Sequence, residues 1–258
     1  VEFETITVAT NAGVSVLTLN RPKVSNEMNT LMRDEIAHAA RHVPEEGRVL
    51  VITGAGPSFC SGQDLGDRIN LAEPDFERII RDEYFPMLKA LASCPLPILA
   101  AVNGPAAGAG ASLALAADVV IAAESAYFLQ AFTRIGLIPD AGGTWRLPKQ
   151  AGFARAMGMA LFSDRIPAKL ACEWGMIWEA IPDEMFTEHW MDRAQQLANG
   201  PTRSFLKVRE AMTASYTNDY MKQLEVEARL QGESGKTRDF KEGILAFAQK
   251  RLPNFEGR

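Results

Sequence analysis

Three short runs with uninterrupted apolar centres constrain this chain most: Arg48 to Thr53 (RVLVIT), Ile98 to Val102 (ILAAV) and Asp118 to Ala122 (DVVIA). Each has the length of a strand and is apolar on both faces, as a strand buried between two layers must be. Helical stretches separate them: an amphipathic segment over residues 75–92 and an Ala-rich one over residues 109–117. The order strand, helix, strand, helix, strand, with short turns, predicts parallel pairing and an α/β fold. The beginning of the chain differs. Phe3, Ile6 and Val8, then Val14, Val16, Leu17 and Leu19, flank Asn11-Ala12-Gly13, which predicts a β-hairpin. Asn20-Arg21-Pro22-Lys23 ends it. Asn26 is placed to cap a helix to about His42, with Met28, Leu31, Met32 and Ile36 at helical spacing. From residue 150 onward helices dominate, over 150–162, 167–174, 184–199, 201–214, 217–231 and near 238–250. The change of character near residue 200 divides the chain into a mixed core, 1–200, and a helical region, 201–258.

Composition removes several classes of function. With 258 residues, 47% hydrophobic, there is ample material for a sizeable core. A net charge of -5 argues against broad nucleic-acid binding but leaves room for an anionic small ligand, for which a few Lys or Arg suffice. Cys60, Cys94 and Cys172 are odd in number, far apart and without a CxxC pair, so a reducing, cytoplasmic setting is expected. His38 and His42 stand four apart on a helix, a spacing that can bind metal, but they lack an acidic or Cys partner nearby in sequence and read as an exposed polar pair. The start VEFETITV reads as a strand rather than a signal peptide. The uncharged stretch from Cys94 to Ala117 is punctuated by Pro95, Pro97, Asn103, Gly104 and Pro105, so it reads as strand, turn and helix rather than a membrane span. GESGKT (232–237) imitates a phosphate loop, but Leu230 stands where its first glycine belongs, and a loop between two helices is expected. Gly108 and Gly110 lack the third glycine of a dinucleotide fingerprint, and the chain has no G-x-S-x-G elbow.

Three turns carry chemical interest. SFCSGQDL (58–65) and NGPAAGAGASLALAAD (103–118) each place small residues after a strand and before a helix. Two such turns at one sheet edge could aim backbone N–H groups at a single oxygen; tight packing explains each turn alone equally well. In IGLIPDAGGTWRLP (135–148), Asp140 is a solitary carboxylate between Ile138-Pro139 and Ala141-Gly142-Gly143. By its residues alone it reads as the N-cap of a helix starting at Ala141.

SFCSGQDL, AVNGPAAGAGASLALAADVVIAAESAYF and IGLIPDAGGTWRLPKQAG, in this order and spacing, resemble the crotonase (enoyl-CoA hydratase/isomerase) superfamily. The likeness continues to the C-terminal FKEGILAFAQKRLPNF and covers essentially the whole chain. ARAMGMALFSDRI and EWGMIWEAI are most similar to the branch that isomerises the ring 1,2-epoxide of phenylacetyl-CoA. The resemblance implies a spiral of ββα turns that binds and transforms acyl-CoA, with residues 201–258 as a helical oligomerisation region of a homotrimer, or of a hexamer built as a dimer of trimers. It implies no cofactor, coenzyme A being part of the substrate, and no nucleic-acid or membrane partner.

Carried over by position, Gln63 and Ala109 supply two backbone N–H groups to a thioester enolate, and Asp140 is the catalytic carboxylate. The hydratases of the family carry two glutamates; Ser112 and Phe132 stand at those positions here. That departure favours isomerisation, with Phe132 excluding water and offering an aromatic wall to the substrate. Asp140 as a nucleophile on an epoxide stays open, because the family also holds a dehalogenase with a nucleophilic Asp at a similar position. Ser61, Gly62, Asp64 and Leu65 of the first turn, with Gly110 and Phe132, are the implied substrate-binding residues. Arg21 and Lys23 are candidates for a CoA phosphate, or simply a solvated basic turn; Lys250 and Arg251 are weaker ones. The acyl pocket is expected to draw on residues 66–81. An enoyl-CoA hydratase of broad range and a non-catalytic CoA-ester binder are the alternative readings.

Overall fold

The computed structural model describes residues 2–42, 46–66 and 75–258. Strands β1 (Ile6–Asn11) and β2 (Val14–Leu19) form the expected hairpin, turning at Ala12 and Gly13 with φ of 47° and 82°. Two consecutive positive φ values are what a tight turn between twisted strands needs. The chain then rises through β3 (Val49–Gly54), β4 (Ile98–Val102), the two-residue β5 (Ala106–Ala107) and β6 (Val119–Ala123). It continues through β7 (Tyr127–Leu129), β8 (Ile166–Pro167) and β9 (Glu179–Ile181). The main sheet has the order β1-β2-β3-β4-β6-β9 and is parallel everywhere except the first hairpin; β5, β7 and β8 make a smaller sheet.

Side-chain alternation explains the layers. Leu50, Ile52, Ala100 and Val102 point to one face and join the larger core, while Val49, Val51, Leu99 and Ala101 point to the other. On the larger-core side lie α1 (Thr30–Arg41), α2 (Phe76–Ile79), α3 (Phe85–Ala92) and α4 (Ala109–Leu115), with α5 (Gly143–Gln150), α6 (Phe153–Phe162) and α7 (Ala168–Glu173) beyond. The opposite face is covered by α8 (Asp183–Ala198) through Phe186, Trp190, Ala194 and Ala198. From Thr202 onward the elements are helical: α9 (Thr202–Ala214), α10 (Tyr220–Ser234) and α11 (Arg238–Gln249). Arg209 of α9 fastens this part to the core through Asp118 and the carbonyls of Cys94 (2.8 Å) and Leu96 (2.5 Å). No helix among the described residues is long and apolar enough to cross a membrane.

Local details differ from the sequence reading for identifiable reasons. Asn29, not Asn26, caps α1, its side chain accepting from Met32 N at 2.9 Å. Asn26 is buried with φ of 56°, and its amide donates to the carbonyls of Ala55, Ser58 and Phe59. Met28 is buried ahead of the helix, and Leu31 is exposed. The helix expected over 75–92 is interrupted by a π-helical turn, Ile80–Tyr84. The helix expected over 150–162 begins at Phe153, because Gln150 closes α5 and Gly152, with φ of 83°, separates the two. GESGKT spans the end of α10, its cap Gly235 and Thr237, which caps α11. The His38 and His42 rings stack 4.3 Å apart, and no cluster of metal-ligating side chains occurs among the described residues.

Candidate active site

The turn after β3 is stitched on two sides. Toward the first hairpin, Ser61 N donates to Ser25 O, Met28 N to Gly62 O and Asp64 N to Met28 O. Toward β5, Ala107 N donates to Cys60 O at 2.9 Å, and Phe59 N to Pro105 O at 3.1 Å. The two glycine turns therefore lie side by side. Their approach is as close as backbone allows: a methyl on Gly62 would lie 3.0 Å from Ala107 O and 3.5 Å from Ala109 N. A methyl on Gly110 would lie 2.3 Å from Cys60 O, so only glycine fits there. The N–H groups of Gln63 and Ala109, which the stitching leaves out, have no acceptor among the described residues. For Ala109 the cause is general, since the first N–H groups of a helix have no intrahelical partner.

Asp140 enters from the connection between a 3-10 turn, Phe132–Ile135, and α5. It does not cap that helix: the N-cap is Gly142, which makes no side-chain capping bond. The chain instead passes through two left-handed residues, Ala141 at φ 49° and Gly142 at 84°, and Gly143 N returns to Asp140 O at 2.8 Å. A left-handed alanine costs about 1–2 kcal/mol, so the packing around buried Ala141 holds the turn. The Oδ1 of Asp140 is buried without a hydrogen-bond partner among the described residues. Burial raises the carboxyl from 3.8 to about 6, against the opposing pull of its own backbone N–H and the Arg33 charge.

Three residues beyond this carboxylate, at Gly143, the structure brings Ser112, which the sequence singled out, together with Gln130, which it did not. A methyl on Gly143 would sit 2.9 Å from Ser112 Oγ and 3.8 Å from Gln130 Oε1, so α4, the residue following β7 and the start of α5 converge there. Ser112 Oγ, both amide atoms of Gln130 and the Tyr84 hydroxyl are buried without partners among the described residues. The Arg33 guanidinium lies 4.9 Å from the Tyr84 ring centroid. Gln130 left a faint signal, a lone amide in the apolar run YFLQAF. Tyr84 left none, because an unsatisfied hydroxyl arises only in tertiary structure. Phe132 is buried, with ring atoms 3.8 and 3.9 Å from where a Gly108 side chain would begin, beside the second turn.

Of the remaining residues singled out in the sequence, Arg21 and Lys23 flank the first turn, which holds Ser61, Asp64 and Leu65, whereas Lys250 and Arg251 follow α11. Arg21 pairs with Asp64 at 2.8 Å and donates to Glu27 O at 2.6 Å, so it braces the turn; Asp64 also accepts from Gly66 N. Lys23 and Leu65 are exposed, and the Ser61 hydroxyl donates to Ser25 O at 3.2 Å. Arg251 is held by Glu242, and Lys250 ends α11 in a left-handed conformation. Of the acyl-pocket stretch 66–81, residues 67–74 lie outside the described residues. Cys60, with its thiol pushed up to about 12 by burial, is a packing residue rather than a nucleophile.

Such a site suits moving a proton on a carbon whose neighbouring carbonyl oxygen must take up charge, the chemistry of CoA-thioester hydratases and isomerases. The chain belongs to the enoyl-CoA hydratase/isomerase family, whose profile matches residues 9–258. It is 56% identical over 257 residues to a protein of Rhodobacter capsulatus described as a "probable enoyl-CoA hydratase", covering 99% of each chain. It is 44% identical over 252 residues to the 1,2-epoxyphenylacetyl-CoA isomerase of Escherichia coli, covering 95% of this chain and 96% of that one. Among solved structures, the enoyl-CoA hydratase of Bacillus anthracis superposes with a TM-score of 0.90 at 30% identity, over 99% of this chain and 100% of the other. The expected crotonase fold, with its helical C-terminal part, is thus the fold of this protein.

Proposed function

We propose that the protein is an acyl-CoA isomerase in which Asp140 carries a proton and the N–H groups of Gln63 and Ala109 hold the thioester oxygen. The observation that carries this reading is the half-buried Asp140 carboxyl, raised to about 6, with Ser112 and Phe132 standing where the hydratases of the family have glutamates. In the simplest reaction, on a 3-enoyl-CoA, Asp140 removes a proton from C2. The electron pair spreads to the thioester oxygen, where two N–H donors stabilise it; each such donor is worth about 3 kcal/mol of barrier. The protonated Asp140 returns the proton at C4, and the double bond lies between C2 and C3. One base serves both steps and nothing is added or lost.

The similarity to the Escherichia coli isomerase supports the ring 1,2-epoxide of phenylacetyl-CoA as a substrate, opened to an oxepin thioester, alongside or instead of a 3-enoyl-CoA. The CoA moiety then lies along Ser61 to Leu65 and Gly110, with the exposed Lys23 meeting a phosphate and Arg21 acting through Asp64 to fix the turn.

The relative described as a hydratase favours a second reading, addition of water to a 2-enoyl-CoA. That reading needs a second acid/base, for which Ser112 and Phe132 are unsuited. Parallel assays with a 3-enoyl-CoA and crotonyl-CoA, followed by mass spectrometry, separate the two. The expected outcome is an isobaric product from the 3-enoyl-CoA and a turnover that falls about 10²- to 10⁴-fold in Asp140→Asn. A product one water heavier, formed as fast, would establish the hydratase; tight binding with no turnover would establish a CoA-ester binder.

A further inference from the structure

A cavity of about 390 Å³ lies between α5, α9 and the N-terminal ends of β4 and β6. The two glycine turns follow β3 and β4 at the opposite end of the sheet, and none of Gln63, Ala109 and Asp140 lines this cavity. Phe205, Met212, Trp145 and Tyr216 supply much of its wall. Trp145 and Tyr216 pack edge to face with ring centroids 5.1 Å apart and stay exposed, so they stand where the cavity meets solvent. Lys149 Nζ, 4.4 Å from the Trp145 ring centroid, adds positive charge there. The charges on the wall do not balance. Asp118 is the one carboxylate among the lining residues, against the guanidinium groups of Arg146 and Arg209. Both Asp118 oxygens are engaged elsewhere: Oδ1 accepts from Arg209 Nε at 2.7 Å, and Oδ2 accepts from Arg209 Nη2 and, at 2.7 Å, from Ile98 N. Arg146 is half-buried, lies 5.6 Å from the Trp145 ring centroid, and makes no hydrogen bond or ion pair among the described residues. Burial disfavours its charged form, and the Asp118 charge only partly opposes that. Gln150, one turn further along α5, lines the same cavity with its Oε1 buried and unpartnered among the described residues.

A guanidinium drawn partly out of water is compensated best by an anion whose two oxygens match its fork. One unpaired guanidinium calls for one negative charge, which suits a monocarboxylate better than a phosphate dianion. The walls add the second requirement, an apolar body, and two rings at the opening favour a flat one. We propose that this cavity is a second ligand site, which binds a small aryl carboxylate with its carboxylate forked on Arg146 and its ring among Phe205, Met212, Trp145 and Tyr216. The site is separate from Asp140 and does not rest on the acyl-CoA reading of the preceding section.

The test is calorimetric titration of the full-length protein with 3-phenylpropionate, with its neutral amide and with inorganic phosphate. Each titration is run alone and again with phenylacetyl-CoA at saturation, which keeps an acyl-CoA site filled. The carboxylate is expected to bind in both settings, at least about tenfold tighter than the amide or phosphate. Arg146→Met keeps an apolar stem and removes the charge, and is expected to abolish the preference for the carboxylate over the amide. Tyr216→Ala, at the exposed edge of the cavity, changes no charge and is expected to weaken the carboxylate about two- to tenfold; it decides the matter if Arg146→Met does not fold. No heat from 3-phenylpropionate at millimolar concentration would overturn the proposal, as would an amide or phosphate bound equally well. So would binding that disappears once phenylacetyl-CoA is present, a preference that survives in Arg146→Met, or an affinity unchanged in Tyr216→Ala.

Discussion

Burial does two things to Asp140, and they pull in opposite directions. The raised value, about 6 against an ordinary 3.8, puts the carboxyl where it can both accept and return a proton near neutral pH. If the ionised form is the base, kcat/KM for isomerisation rises with pH, levels off above about 6, and follows one ionisation. The same shift weakens the fold. Between 3.8 and about 6 the native protein keeps a proton that the unfolded chain has released, so this residue's contribution to stability falls as pH rises through that window. Above it, the full penalty applies. Two pK units correspond to about 3 kcal/mol; Asp140 is only partly enclosed, so about 1–2 kcal/mol is expected. Asp140→Asn should therefore raise Tm at pH 7.5, with the gain vanishing near pH 4. Thermal melts of both proteins across that range decide it: a gain independent of pH would mean that the charge is not the cause.

The two glycine turns owe their register to contacts that leave no room for side chains. In α4, Gly110→Ala should by helix propensity alone stabilise by about 1 kcal/mol. Packing reverses the sign. The new methyl would meet Cys60 O at 2.3 Å and Cys60 Cβ at 2.8 Å, both in a strand-like segment bonded to β5. Overpacking of this kind costs about 1–3 kcal/mol, and relief comes only by separating α4 from the first turn. The variant is expected to melt about 3–10 °C lower and to lose kcat, because Ala109 N moves with the helix; an unchanged Tm would show that the turns are loosely joined. These elements also show where sequence is informative. The buried strands β3, β4 and β6 were legible because uninterrupted apolar runs have one good structural solution. So was the approximate extent of most helices. The phase shift at Tyr84 was not, since a π-helical turn needs only one surplus residue and no particular sequence marks it. Asn26 misled for a related reason: an Asn before a helix suits a cap, and only the folded loop reveals the three carbonyls that claim its amide. Asp140 was visible as an oddity, while the meeting of Ser112 and Gln130 at Gly143 depends on tertiary structure.

The described residues leave apolar surface uncovered on several helices, most continuously on α11. On α11, Phe240, Ile244 and Phe247 recur at i, i+4 and i+7 and are all exposed, Phe247 to 85%. Phe240 and Ile244 line a cavity of about 800 Å³ between α9, α10 and α11, remote from Asp140. On α10, Tyr220, Met221 and Leu224 are exposed as well. A monomer rarely leaves so continuous an apolar stripe in water, and each large side chain covered there contributes about 1.5–3 kcal/mol. The family resemblance gives the expected arrangement, a homotrimer or two trimers joined. Light scattering on the purified protein should accordingly give three or six times the 28.2 kDa of one chain. Phe247→Asp introduces a charge into the exposed stripe without touching the monomer's core, so the folded chain should persist while the assembly dissociates. Circular dichroism unchanged alongside a fall toward 28.2 kDa would establish α11 as the oligomer contact. A parent protein that is monomeric at tens of micromolar would refute the assembly, and a variant that stays assembled would move the contact to another face, of which α6, with Phe153, Met157 and Leu161 exposed in line, is the next in apolar content.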